Sequence, residues 1–349
     1  MSRLFLILSL LPVVGYWVTP RLRPAGFVAG ALLAYVIAAV AGADGWGATH
    51  LTYLILTVAV PIVAGMLLLW ELRRGRQVRR VRAVLLALAV VPAAIGLYAT
   101  HVEPFRVVVE ETTVEVAGID GGSIRLGVYA DPQMAGISDH ERDAFDRLVA
   151  GGPDMVLLPG DLFTAEFAVV REDVSAFRRM LESLSVPALL VAGDHDLVDT
   201  LEWLVRDTDA VVLDNEVVTV DAGGHTVAVA GVGHHTDEIR TARLLDVLTS
   251  TPADAHIVLA HAPETARVVG PDHAVDLVVA GDTHGGQIRL PVVGLLWNPN
   301  DVPDDVAEGG LHELDGTTLY VSRGLGMLRG QAPQIRLGAP PAVDLITLS

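Results

Sequence analysis

The chain has 349 residues, 24 basic and 42 acidic side chains, a net charge of −18 and no cysteine. The missing cysteines exclude disulfides, thiolate metal sites and cysteine nucleophiles. The charge is split: nine of the basic and two of the acidic residues lie in the first 100, leaving 15 basic and 40 acidic residues in the remainder. The first part is therefore apolar and slightly basic, while the second repels polyanions and argues against nucleic acid as a partner. We place a domain boundary there, with residues 1–100 as a transmembrane anchor and residues 101–349 as a soluble domain.

Four apolar runs occupy the first part: Leu4–Thr19, Ala25–Gly42, Leu51–Trp70 and Ala83–Ala99. A spanning helix needs about 20 mainly apolar residues. The third run meets this, the second and fourth approach it, and the first competes with a signal peptide. No small-residue cleavage site follows the first run, so it is read as an uncleaved helix, giving an all-α region of about four helices. Pro12, Pro61 and Pro92 interrupt three of these runs, and none contains an acidic residue, so an ion path is not indicated. Arg21, Arg23 and the arginines of residues 71–82 mark two loops as cytoplasmic, whereas Ala43–His50 carries no basic residue and is expected outside. The fourth helix then delivers everything after His101 to the extracytoplasmic face. The expected location is a multi-pass protein of the cell membrane, in contact with its lipids.

From Ser123 onward, short apolar runs alternate with helical patterns. Strands are expected at Ser123–Ala130, Met155–Leu158, Ala188–Ala192, Val227–Gly231, His256–Ala260, Leu277–Ala280 and near Val343–Leu348. Helices are expected at His140–Ala150 and around Val170–Leu184. This alternation implies a parallel or mixed sheet covered by helices, an α/β fold. In such folds ligands bind beyond the carboxyl ends of the strands. Five predicted strands end there in a residue able to hold a metal: Asp131, Asp161, Asp194, His261 and Asp282. One Gly-Asp pair is ordinary turn chemistry, but turns do not require His261 or His284.

In order, the chain reads Asp131–Pro132–Gln133, Gly160–Asp161, Gly193–Asp194–His195–Asp196, His261 and Gly281–Asp282–Thr283–His284. This series resembles the calcineurin-like metallophosphoesterase family, whose pattern is D-x-H, G-D, G-N-H-D, a single His and G-H-x-H. The continuations Gly285–Gly286–Gln287 and Tyr320–Gly326 are similar too. The subgroup resembled carries membrane segments ahead of the phosphoesterase domain. The resemblance implies a two-sheet sandwich flanked by helices and hydrolysis of a phosphoester or pyrophosphate by two divalent metals and a bridging hydroxide. It implies a first metal on Asp131, Gln133, Asp161 and His284, and a second on Asp161, Asp194, His261 and Asp282. His195 takes the position of the general acid, with Asp196 orienting it or capping the next helix.

Three positions depart from the family pattern: Gln133 for His, Asp194 for Asn and Asp282 for His. Each still offers an oxygen, and the richer carboxylate set favours Mn²⁺, with Mg²⁺, Fe²⁺ or Zn²⁺ as alternatives. The extra negative charge is expected to move activity toward alkaline pH. The competing reading is a catalytically degenerate metal- or ligand-binding membrane receptor on the same fold. The expected substrate is a phosphoester, with the anchor pointing to a lipid-linked or cell-envelope one. His234 and His235 follow the Val227–Gly231 strand and could approach the substrate. Arg323 and Arg336 are expected in surface salt bridges rather than on phosphate.

Overall fold

In the computed structural model, residues 2–19, 21–74, 79–163, 167–234, 236–328 and 330–349 are described. They divide into two units, one of Met1–Glu103 with Leu328–Ile335, the other of Pro104–Met327 with Arg336–Ser349.

The first unit is helical: α1 Ser2–Leu8, α2 Leu11–Val18, α3 Arg23–Val40, α4 Gly45–Leu54, a π-helical turn at Ile55–Ala59, α5 Val60–Arg73 and α6 Arg79–His101. Among the described residues, three stretches are long and apolar enough to cross a membrane: Arg23–Val40, Gly45–Arg73 and Arg79–Phe105. The first apolar run differs from expectation, because it breaks at Ser9–Leu10 into α1 and α2. Pro12 has no N–H to give to the preceding turn and its ring crowds the carbonyl there, so the helix stops and restarts. Pro61 does not break its run, because the π-turn just ahead absorbs the misfit within one continuous helix. Pro92 lies inside α6. Gly15 and Gly30 stand where any side chain would strike the facing backbone of α3 and α2, so these helices pack through small residues. Segment Leu328–Ile335 closes this unit: the Gln331 side chain donates to the Gly42 carbonyl (3.0 Å) and accepts from the Asp44 N–H (3.2 Å).

The second unit is α/β. Its strands are β1 Val108–Val114, β2 Ile124–Val128, β3 Met155–Leu158, β4 Ala188–Leu190, β5 Val211–Val212, β6 Val217–Ala222, β7 His225–Val232, β8 Ala255–Ala260, β9 Leu277–Ala280, β10 Arg289–Leu290, β11 Gly294–Leu295, β12 Gly310–Leu314, β13 Thr317–Val321 and β14 Ala342–Leu348. They build one six-stranded sheet in the order β1-β14-β2-β3-β4-β5, another in the order β12-β13-β9-β8-β7-β6, and the hairpin β10-β11. Strands β2 to β5 run parallel, as do β7, β8, β9 and β13.

The alternation of side chains along each strand sets the layers. Ile124, Leu126, Val128, Met155 and Leu157 point inward from the first sheet to meet Val227, Val229, Ile257, Leu259, Leu277 and Val279 of the second. The opposite faces are covered as well. Val156, Leu158 and Leu190 pack with Phe145, Phe177 and Leu201 from helices α7 Asp139–Ala150, α8 Phe167–Glu182 and α9 Val198–Val205. Ala228, Ala230, Val258 and Val278 pack with Leu245 and Leu248 of α10 Glu238–Ser250. Strands buried on both faces read as unbroken apolar runs, which is why the sequence announces them. The two-sheet sandwich flanked by helices, behind an apolar helical region, is as expected.

One buried charge inside the sandwich has a measurable consequence. Asp344 of β14 is fully buried and accepts hydrogen bonds from the Tyr320 hydroxyl (3.0 Å) and the Ser322 hydroxyl (2.5 Å). Burial pushes its carboxyl up to about 7. An unfolded aspartate titrates near ~3.9, so between these values the folded chain holds a proton that the unfolded chain has lost. Stability therefore falls as pH rises through this window and is level above it. Asp344→Asn should remove that slope, so that from pH 5 to pH 8 its guanidinium stability gains about 3 kcal/mol relative to wild type. Equal differences at the two pH values would contradict the buried-carboxylate account.

Candidate metal centre

The carboxyl ends of β2, β3, β4, β8 and β9 deliver the predicted residues to one place. Loops there are sewn to one another by backbone bonds: Asp131 N–H to Gly160 (3.2 Å), Gln133 N–H to Asp161 (2.9 Å), Gly281 N–H to His261 (3.0 Å) and Gly326 N–H to Asp131 (2.8 Å). Asp131, Gln133, Asp161, His261 and His284 are all buried, and Asp194 and Asp282 are partly open.

The backbone is strained where the side chains are wanted. Among the described residues, ten that are not glycine have positive φ, and six of them are Asp131, Gln133, Asp161, Asp282, His284 and Gln287. Each such residue costs about 1–3 kcal/mol and survives only where surrounding structure over-determines it. Gly281 supplies room beside them, since a Cβ there would lie 2.3 Å from an Asp131 carboxylate oxygen.

Among the described residues, two groups have the spacing of metal ligands: Asp131, Asp161 and His261, and Asp161, Asp194 and His195, each with donor atoms within 4.8 Å of one another. Asp161 is common to both. Its Oδ1 lies 3.7 Å from His261 Nε2 and accepts the His195 N–H at 3.0 Å. Its Oδ2 accepts from Gln133 Nε2 at 2.9 Å, and that same amide nitrogen lies 3.1 Å from His284 Nε2.

His261 is held as a metal-binding histidine is held. Its Nδ1–H donates to the Pro159 carbonyl at 2.7 Å, which fixes the ring and leaves Nε2 as the basic nitrogen. That Nε2 is buried without a hydrogen-bond partner among the described residues, yet Asp282 Oδ1, Asp161 Oδ1 and Asp194 Oδ1 converge on it at 3.6, 3.7 and 3.7 Å. Three carboxylate oxygens and one lone pair aimed at a shared point, each beyond hydrogen-bond distance, fit a cation.

The electrostatics agree with that fit. Burial raises Asp131 well above the usual carboxylate range, and burial with neighbouring charge pushes Asp282 up to about 6. Burial also raises Asp161, helped by the Asp194 charge and opposed by His261. Burial opposes ionisation of Asp194, but His261 and His195 outweigh it and hold its pKa low. Burial alone would lower His261, yet Asp194, Asp131, Asp161 and Asp282 raise it well above normal. His284 goes the other way, lowered by burial and by the Arg336 charge, which keeps it a neutral donor.

His195 stands half exposed with Nε2 at 3.6 Å from Asp194 Oδ1 and 4.0 Å from Asp161 Oδ2. Asp196 corrects an expectation: it neither orients the His195 ring nor caps α9. Its buried carboxylate accepts from the backbone N–H groups of Asp161 (2.6 Å), Leu162 (3.3 Å) and Gly193 (3.1 Å), tying two ligand loops together. Arg336 is a second correction. It is wholly buried, and its guanidinium donates to the carbonyls of His284, Arg323, Gly324, Gly326 and Ala339. Arg323 does pair with an acid, Glu110. His234 comes to the site's edge, its ring meeting that of His261 edge-on at 5.7 Å; His235 lies outside the described residues.

Asn300 escaped the sequence reading. It donates from Nδ2 to Asp282 Oδ2 at 2.6 Å, fixing a residue that departs from the family pattern. Nothing in its own Asn-Pro-Asn surroundings distinguishes it from a loop residue.

Residues 124–286 match the calcineurin-like phosphoesterase family. The chain carries a calcineurin-like phosphoesterase domain. Several curated bacterial proteins are similar to the chain. Phosphodiesterase YaeI of Escherichia coli is 29% identical over 204 residues, 56% of this chain and 70% of that protein. The uncharacterized metallophosphoesterase YkuE of Bacillus subtilis is 27% identical over 269 residues, 72% of this chain and 88% of that protein. The uncharacterized protein YpbG of Bacillus subtilis is 27% identical over 218 residues, 60% of this chain and 75% of that protein.

Proposed function

We propose that the chain is a membrane-anchored phosphoester hydrolase dependent on two divalent metal ions. The observation that carries this reading is Asp161, whose two carboxylate oxygens face different donor sets. Asp131, Gln133, Asp161 and His284 would hold the first ion, and Asp161, Asp194, His261 and Asp282 the second. For Gln133 to ligate through oxygen, its terminal amide turns over about a soft torsion. Three carboxylates and one imidazole at the second position suit hard cations, so Mn²⁺ is favoured over Zn²⁺. When bound, such a pair would supply positive charge to the phosphate oxygens and lower the pKa of a bound water.

The protein's own groups do the remainder. The half-exposed His195 imidazole would give its proton to the departing oxygen. Its main-chain N–H, donating to Asp161 Oδ1, keeps that loop in register with the shared carboxylate. Asp196 and Arg336 hold the ligand loops from behind.

A diester is the first substrate class to try, because YaeI is named a phosphodiesterase. The apolar helices support a multi-pass anchor, and the arginine-rich loops support an extracytoplasmic catalytic domain acting on lipid-linked or cell-envelope phosphoesters. The acidic domain argues against nucleic acid.

The test uses the full chain, purified in detergent and freed of metal. Mn²⁺ should restore release of nitrophenol from bis(nitrophenyl) phosphate, and a chelator should abolish it. Protein that takes up two metal ions yet cleaves neither the bis- nor the mono-nitrophenyl ester would instead be a binding receptor.

A further inference from the structure

The hairpin β10-β11 leaves the domain three residues after His284–Gly286, and its outer residues are apolar and uncovered. Val292 is fully exposed, and Val293, Leu296 and Trp297 are 67%, 47% and 42% exposed. Val292 also has φ of +71°, a left-handed conformation that a β-branched side chain rarely adopts. The turn is thus held in a shape that keeps a valine pointing outward.

The base of the hairpin is firm. Arg289 N–H donates to Leu337 (2.7 Å), Leu337 N–H to Gln287 (2.9 Å) and Leu296 N–H to Ile288 (3.1 Å), while Arg289 pairs with Glu308 at 2.8 Å. Charge singles the segment out as well. Leu290–Asn300 contains no ionisable residue, in a domain with 15 basic and 40 acidic side chains. An anionic bilayer surface repels such a domain nearly everywhere. This uncharged stretch offers it apolar residues and a tryptophan, the side chain that prefers the headgroup level.

The occupant follows from the chain itself. Arg79–Phe105 is long and apolar enough to cross a membrane, and only residues 102–107 separate α6 from β1, a reach of roughly 20 Å at full extension. We propose that residues 291–297 insert into the headgroup–acyl boundary of the bilayer that anchors the chain. The turn His284–Gln287 is thereby held at headgroup level, where lipid phosphoesters lie. This last consequence rests on the proposed hydrolase reading; insertion itself rests only on the proposed membrane anchor.

The absence of cysteine permits a direct test in the full chain reconstituted into vesicles. Val292→Cys, and Val247→Cys on the exposed side of α10 as reference, are each labelled with an environment-sensitive fluorophore. Vesicles containing nitroxide-bearing lipid should quench the label at 292 at least about twofold more than that at 247, as expected for a shallowly buried segment. Equal quenching at the two positions overturns insertion. So does a blue-shifted label at 292 that no nitroxide lipid reaches, because a second copy or a partner protein then covers the tip.

A second arm uses Val292→Asp combined with Val293→Asp. Cleavage of soluble bis(nitrophenyl) phosphate should be unchanged, while cleavage of a phospholipid in the vesicle should fall about tenfold. A parallel fall on both substrates, or on neither, overturns the proposal. If wild type cleaves no phosphoester, the hydrolase reading fails while the quenching result still decides insertion.

Discussion

Asp161→Asn is expected to lower phosphoester cleavage at least about a thousandfold, the loss of roughly 4 kcal/mol of transition-state stabilisation. The expectation follows from position. One oxygen of Asp161 faces the basic nitrogen of His261, and the other faces Gln133, which in turn meets His284. Asparagine keeps the side chain's shape but removes the negative charge and one acceptor, so the carboxylate can no longer join two donor sets. The fold should not suffer. Asp161 is buried among Asp131, Asp194 and Asp282, and burial with Asp194 already opposes its ionisation. Removing one charge from that crowd relieves repulsion in the metal-free protein. Thermal unfolding of metal-free Asp161→Asn should therefore occur at or above the wild-type temperature, and under the proposed two-metal reading the variant should take up less metal than wild type. Retention of more than a tenth of the activity would sink the shared-ligand account.

Arg336→Met is expected to do the opposite, costing about 3–5 kcal/mol of stability in the phosphoesterase domain. The guanidinium is wholly buried and donates to five carbonyls from three separated stretches, around 284, 323–326 and 339. Methionine fills part of the volume but leaves those acceptors without donors, each a desolvation penalty. Lysine keeps the charge yet lacks the planar fork, so Arg336→Lys should recover only part of the loss. Guanidinium unfolding of the three proteins in detergent measures this directly, and a methionine variant as stable as wild type would contradict it. Metal affinity should weaken as well, because the His284 carbonyl is one of the groups released.

Much of this could be read before any coordinates. Met155–Leu158 and Leu277–Ala280 fall where expected, because strands packed on both faces are apolar without interruption. Helix Asp139–Ala150 is legible from Ser138 and Glu141, which form a capping box. The edge strands were harder. Val108–Val114 alternates half-buried and exposed residues that include two glutamates, and its identity as a strand comes from pairing with the chain's last residues. The break at Ser9–Leu10 is likewise a matter of where a proline's consequence is absorbed, by a restart in one helix and by a π-turn in another.

The candidate metal centre divides in the same way. By itself the sequence determined which residues could stand there: Asp131, Gln133, Asp161, Asp194, His195, His261, Asp282 and His284 follow the strands in order, and residue type at a strand end is a local property. Only the tertiary structure decided how they meet. It alone turned the two oxygens of Asp161 toward different partners and left His261 Nε2 facing three carboxylates. It alone moved Asp196 from the His195 ring to the loops behind, brought Asn300 to Asp282, and buried Arg336 under five carbonyls. Those facts depend on groups distant in the chain converging on one point. No local pattern encodes such convergence, because it is set by how two sheets pack and by strained loops that the packing holds in place.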